Sequence, residues 1–131
     1  MSPDPLIAAA TAVRLRAFAP FSGFLVGAAL EADDGTIVTG CNVESASYGL
    51  TTCAERVAVF KGVSEGLRRF RRVAVVADTD TPTPPCGACR QVLWEFAPDA
   101  EVVLANLSGK VVRFTMRELL PAAFDAGQLG G

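Results

Sequence analysis

Thr51-Thr52-Cys53-Ala54-Glu55-Arg56 and Pro84-Pro85-Cys86-Gly87-Ala88-Cys89-Arg90 are the two segments around which the rest of this sequence falls into place. Each reads as the opening turn of a helix, so together they bring three thiols and one carboxyl to helix N-termini. Three soft ligands plus one acid outside the ligand set is the inventory of an open zinc site. Structural zinc usually closes with a fourth Cys or His, whereas catalytic zinc keeps three protein ligands and leaves the last tetrahedral position to water. The sequence contains no histidine. Any metal site must therefore be built on sulfur, with oxygen as the only other choice.

Cys86 and Cys89 are three residues apart, so both sulfurs lie on one face of a helix start and can bite one metal. Pro84-Pro85 fixes their approach. Cys53 and Glu55 diverge on a helix flank but converge on a metal beyond the helix end, because first-turn side chains lean toward the N-terminus. Three thiolates leave a zinc ion with negative charge in excess. Two helix N-termini, each worth about half a positive charge, and Arg56 oppose it. Arg56 is expected to contact a ligand sulfur, with Arg90 as a second candidate. Glu55 then serves as the proton shuttle between water and substrate.

Other readings of the same residues stand beside this one. Thr52-x-x-Glu55 is itself a capping box, which accounts for Glu55 structurally. Cys86-x-x-Cys89 alone also fits a redox dithiol opening a helix after a strand. Cys41 offers a fourth sulfur for a closed site, although inside a strand it reads better as a buried small hydrophobe.

Outward from these segments, Asp4-Pro5 sets an N-cap and first position for an amphipathic helix from Leu6 to Phe18, ended by Pro20. Phe24 to Leu30 and Ile37 to Val43 flank Asp33-Asp34-Gly35, an antiparallel hairpin. A helix runs from about Cys53 to Glu65, stopped by Gly66. Val73 to Ala77 is a strand buried on both faces. The second cysteine helix spans Cys86 to Phe96, and strands Val102 to Ala105 and Val111 to Phe114 turn at Ser108-Gly109-Lys110. A last helix follows Thr115 with a capping box to Glu118, and the Gly-rich tail after Asp125 is expected to fray. Tight turns and helical crossovers together predict an α/β fold, a three-layer α/β/α sandwich with a five-stranded mixed sheet, as a single domain over 1–131.

At 131 residues with 50% hydrophobic and 20% charged residues, the composition is that of one packed domain. A net charge of -2 and the lack of a basic stripe argue against a nucleic-acid partner. No secretory signal or membrane span is read, so a cytoplasmic setting is expected. There, clustered cysteines mean metal or catalysis more often than disulfides.

The residues also carry a resemblance. Phe24-Leu25-Val26-Gly27-Ala28-Ala29-Leu30, Gly40-Cys41-Asn42-Val43-Glu44, Cys53-Ala54-Glu55-Arg56 and Pro85-Cys86-Gly87-Ala88-Cys89-Arg90-Gln91 are together similar to small cytidine deaminases of the homotetrameric, three-cysteine zinc type. The resemblance implies hydrolytic deamination of cytidine and 2'-deoxycytidine to the uridines with release of ammonia, in pyrimidine salvage. A blasticidin-type deaminase and a non-catalytic zinc module remain alternatives. It assigns one zinc per subunit to Cys53, Cys86 and Cys89, and proton transfer to Glu55. It places Asn42 and Glu44 on the ribose hydroxyls, Phe24 against the base, and the Ala54 backbone at the base's exocyclic group. Tyr48 and Phe124 match positions that reach a neighbouring subunit's pocket in a tetramer with shared active sites. Phe21 stands where the family commonly has Tyr, which removes a hydroxyl.

Overall fold

The computed structural model describes residues 4–130. Helix α1 spans Pro5–Arg14, with the Asp4 carboxylate accepting from the Leu6 amide at 2.9 Å and Pro5 in the first turn. The helix ends at Arg14, short of the expected Phe18. Arg14 Nε donates to the Leu25 carbonyl at 3.2 Å. The chain beyond it is recruited by another segment: the Phe18 amide donates to Asn42 O at 3.0 Å, and the Glu44 amide to Phe18 O at 2.8 Å. This pairing lays residues 18–24 beside Asn42 and Glu44.

Strands β1 (Val26–Ala32), β2 (Ile37–Cys41), β3 (Phe70–Ala77), β4 (Glu101–Ala105) and β5 (Val111–Thr115) form one sheet in the order β2-β1-β3-β4-β5. Only β3 and β4 pair in parallel; the other neighbours are antiparallel. The sheet is therefore mixed and five-stranded, as the sequence predicts. Helices α2 (Ala54–Ser64) and α3 (Gly87–Phe96) make the crossovers, and α4 (Met116–Leu119) carries the Thr115/Glu118 capping box. The expected frayed tail is instead a 3-10 turn, Ala126–Leu129, whose capping box joins Asp125 to Gln128. No helix among the described residues is long and apolar enough to cross a membrane.

Alternation along the strands sorts two cores. Ala29, Ala74, Val76 and Ala105 meet Leu6 and Ala10 of α1. On the other face Leu30, Val73, Val75 and Leu104 meet Val59 of α2 and Leu93 of α3. Two glycines set how closely the helices approach. A Cβ on Gly27 would lie 1.9 Å from the Ala10 carbonyl oxygen, and one on Gly40 2.4 Å from the Ala58 amide. Nothing larger than hydrogen fits at either place. The chain leaves β2 for α2 and β3 for α3, so both helix N-termini lie beyond the carboxyl ends of these strands, where α/β folds form crevices.

Candidate active site

Cys53 is the N-cap of α2 and Cys86 the N-cap of α3, and neither side chain bonds to the helix amides. Their sulfurs are free to point past the helix ends. Cys89, buried in the first turn of α3, completes the group: the three sulfurs lie within 4.8 Å of one another, with 3.9 Å between Cys53 and Cys86. Sulfurs bound tetrahedrally to one zinc at about 2.3 Å sit about 3.8 Å apart, so the donor set fits that ion. Cys41 is not part of the group. It lines a groove between α1 and α2, and the closed four-sulfur site is not formed.

The charges are unevenly shared. The Cys89 thiol and then Arg56 push the Cys53 thiol down to about 5. Cys89 is pushed up, by that same contact and by burial. Arg56 Nη2 reaches Cys53 Sγ at 3.6 Å, as expected, while its buried Nε has no hydrogen-bond partner among the described residues. Arg90, the second candidate, is not on a sulfur. Its Nε donates to Pro85 O at 2.8 Å and its Nη1 to Leu119 O at 2.9 Å, tying the turn before Cys86 to the end of α4.

Glu55 is only 4% exposed. Burial raises its carboxyl from 4.5 to about 7, with the neighbouring Cys53 adding to the effect and Arg56 opposing it. The Thr52–Glu55 capping box is not made: Cys53 is the cap, and the Thr52 hydroxyl donates instead to Leu50 O at 3.4 Å. A buried carboxyl with no capping duty calls for another account.

A cavity of about 280 Å³ is lined by Cys53, Ala54, Glu55 and Cys86 together with Phe24, Asn42 and Glu44. A larger groove of about 570 Å³ lies elsewhere, between α1 and α2. It contains neither the sulfur cluster nor the buried acid, so chemistry and not size singles out the smaller cavity. Asn42 is fixed by its Oδ1 accepting from Val26 N and its Nδ2 donating to Phe24 O, both at 2.8 Å. Tyr48 and Phe124 do not line this cavity; both are exposed, at 76% and 57%. Tyr48 borders an adjoining depression, where its ring meets Phe21 edge-on at 6.0 Å.

Sequence reasoning missed Thr83 and Pro84 as cavity walls, and it gave Thr51 no wall role. Their nearness in the chain to Cys53 and Cys86 was the available signal. Ser22 was missed too: its hydroxyl donates to Glu44 Oε2, and nothing local in the sequence points to a partner 22 residues away.

The fold and the open sulfur site with its buried acid define the class of zinc-dependent deaminases. The pattern of the cytidine and deoxycytidylate deaminase zinc-binding region matches residues 3–106. The chain is 54% identical over 127 residues to a cytidine deaminase of Halalkalibacterium halodurans, covering 96% of each, and 51% identical over 130 residues to one of Sporosarcina psychrophila, covering 98% of this chain and 96% of that one. The crystal structure of cytidine deaminase from Burkholderia pseudomallei superposes with a TM-score of 0.90 at 51% identity, covering 95% of this chain and all of the other. The chain belongs to the cytidine and deoxycytidylate deaminase family, and the family's zinc is held by the Cys53, Cys86 and Cys89 group.

Proposed function

We propose that this protein deaminates free cytosine nucleosides by hydrolysis, converting cytidine and 2'-deoxycytidine to uridine and 2'-deoxyuridine and releasing ammonia. The observation that carries this reading is the buried Glu55 carboxyl beside three clustered sulfurs, in a cavity also lined by Phe24, Asn42 and Glu44. When bound, zinc supplies Lewis-acid activation of a water molecule. Glu55 accepts the water's proton and passes it to N3 of the ring; a second proton then leaves with the amine. The water's oxygen becomes the O4 carbonyl. Burial, the chief cause of the raised Glu55 carboxyl, disfavours its charged form and so suits it to take up a proton and pass it on.

Phe24 provides an apolar face for the base, and the Ala54 backbone sits where the exocyclic group reacts. Asn42 and Glu44 are assigned to the sugar hydroxyls. Among the described residues no Lys or Arg lines the cavity, while Glu44 puts a carboxylate at its rim. A phosphate there meets like charge and no partner, which favours nucleosides over deoxycytidylate.

The homotetramer also belongs to this proposal. Tyr48 and Phe124 are exposed aromatics outside their own cavity, as residues serving a neighbour's pocket would be in an isolated subunit. Mixing zinc-loaded protein with cytidine should lower its ultraviolet absorbance, and deoxycytidylate should give a much smaller rate. No change with any cytosine nucleoside overturns the activity. A solution mass of one subunit overturns the shared pocket and leaves the chemistry standing.

A further inference from the structure

Glu44 does not stand alone at the cavity rim. Its carboxylate is held by a single loop: Oε1 accepts from the Phe21 amide at 2.9 Å and the Ser22 amide at 3.1 Å, and the Ser22 hydroxyl donates to Oε2. The same hydroxyl oxygen accepts from the Phe24 amide at 3.0 Å. Gly23, with φ of 69°, turns the loop so that Ser22 faces back toward both partners. One hydroxyl therefore links the carboxylate assigned to the sugar with the residue whose ring faces the base.

We infer that Ser22 is a positioning residue that sets sugar recognition, acting through Glu44. The inference rests on the cavity being a nucleoside pocket, as proposed above. The physical argument is one of orientation. A carboxylate on an exposed rim samples several rotamers and must be ordered when substrate binds. Three donors converging from the 21–22 segment order it beforehand. They also keep the carboxyl below its usual range, with the Ser22 hydroxyl as the first cause, so it stays an acceptor for sugar hydroxyls. A carboxylate has about four lone-pair sites, so three donors still leave it able to accept from a ligand. Glu44 also borders the neighbouring depression together with Ser22, Tyr48 and Thr51. Without the Ser22 hydroxyl, its side chain can swing into that space.

The test is a double-mutant cycle read on two substrates, cytidine and 2',3'-dideoxycytidine, which lacks the ring hydroxyls. Ser22 is exposed, so its alanine variant keeps the fold. Ser22→Ala should lower kcat/KM for cytidine about tenfold, mainly through KM, as expected for a lost hydrogen bond to a charged group. It should lower the value for dideoxycytidine far less, and Ser22→Thr should recover most of the loss. Combined with Glu44→Gln, it should add little to the effect of that change alone, because both remove the same oriented acceptor. Losses that multiply in the double variant, or equal losses on both substrates, overturn the role of Ser22 while the wild type remains active. A wild type inert toward every cytosine nucleoside overturns the proposed activity itself, and the sugar role with it.

Discussion

Strand β3 runs between two clusters of charge built on opposite plans. Near its start, Arg72 meets three carboxylates: Asp4 at 2.5 Å, Glu101 at 3.2 Å and Glu31 at 3.6 Å. Opposite charges face one another there, and the Asp4 carboxyl is held below its ordinary range chiefly by its hydrogen bond from Arg72. Beyond the other end, groups that all become anionic crowd together. Three sulfurs and the Glu55 carboxyl share one guanidinium, Arg56; the Cys53–Cys89 contact drives Cys53 down and Cys89 up, and burial drives Glu55 up. The first cluster is complete within the chain. The second gains its balance from a divalent cation, and the function proposed above gives the carboxyl kept there against its own ionisation the task of transferring protons.

Glu55→Gln presses hardest on that contrast. The amide keeps the shape of the side chain and removes its proton chemistry. Turnover of cytidine should fall at least 10²–10⁴-fold, the range general acid–base catalysis typically supplies, while bound zinc measured by metal analysis stays stoichiometric. Stability responds in the opposite sense. In zinc-stripped protein the unfolded chain loses the Glu55 proton from 4.5 upward, whereas the folded chain keeps it to about 7. At Glu55 the unfolded state thus binds fewer protons across that window, so the Glu55 contribution to folding stability declines as pH rises, by up to about 3 kcal/mol, while Cys53, driven down from 9.0 to about 5, contributes in the opposite sense above 5. Glu55→Gln removes the Glu55 share alone, so in urea titrations the variant should gain stability relative to the wild type between pH 4.5 and pH 7. A variant that keeps full turnover and loses stability would make Glu55 a structural acid like Asp4.

Among the described residues Arg56 is the one cation that reaches the sulfurs, so Arg56→Gln asks whether the guanidinium balances them. It reaches Cys53 Sγ at 3.6 Å, outside the ligand set. Groups in that position typically change metal affinity or activity by about 10–100-fold when removed. Competition against a chelator should show weaker zinc retention in this range. Unchanged retention and turnover would mean that the helix N-termini suffice.

Both clusters were unequally legible in the sequence, for a physical reason. Cys53, Cys86 and Cys89 could be read because helix geometry converts spacing into direction: residues at a helix start point past its end. Arg56 was found by the same logic, from its place one turn beyond Cys53. That logic fails for Arg90, which lies equally near a cysteine but is drawn to the Pro85 and Leu119 carbonyls, the latter 29 residues away. The early end of α1 was hidden for a similar cause. Apolar periodicity continues to Phe18, but the pairing of Phe18 with Val43 outcompetes helix continuation. Ser22 with Glu44 and Arg72 with Asp4 are also long-range pairs, and a tertiary pair of polar side chains leaves no periodic trace. The hairpins, the crossovers and the Thr115 capping box are local, and they were read correctly.

The smallest effect belongs to the complete cluster, and its pH dependence separates charge from packing. Asp4→Asn removes one charge from Arg72 yet keeps a side chain that caps α1 nearly as well, since Asn and Asp are comparable N-caps. The Asp4–Arg72 contact is partly exposed, so the loss near neutral pH should be about 0.5 kcal/mol. The sign follows from the direction of the shift. Asp4 titrates below 3.8 in the folded chain, so the unfolded state takes up its proton first. The contribution of the ion pair is present in full above 3.8 and disappears as pH falls through the depressed folded value. Urea melts of the two proteins should therefore differ at neutral pH and converge in strong acid, with cytidine turnover the same in both. A gap that persists in acid would assign the loss to packing. A change in turnover would couple the two ends of β3 and remove the division of labour between them.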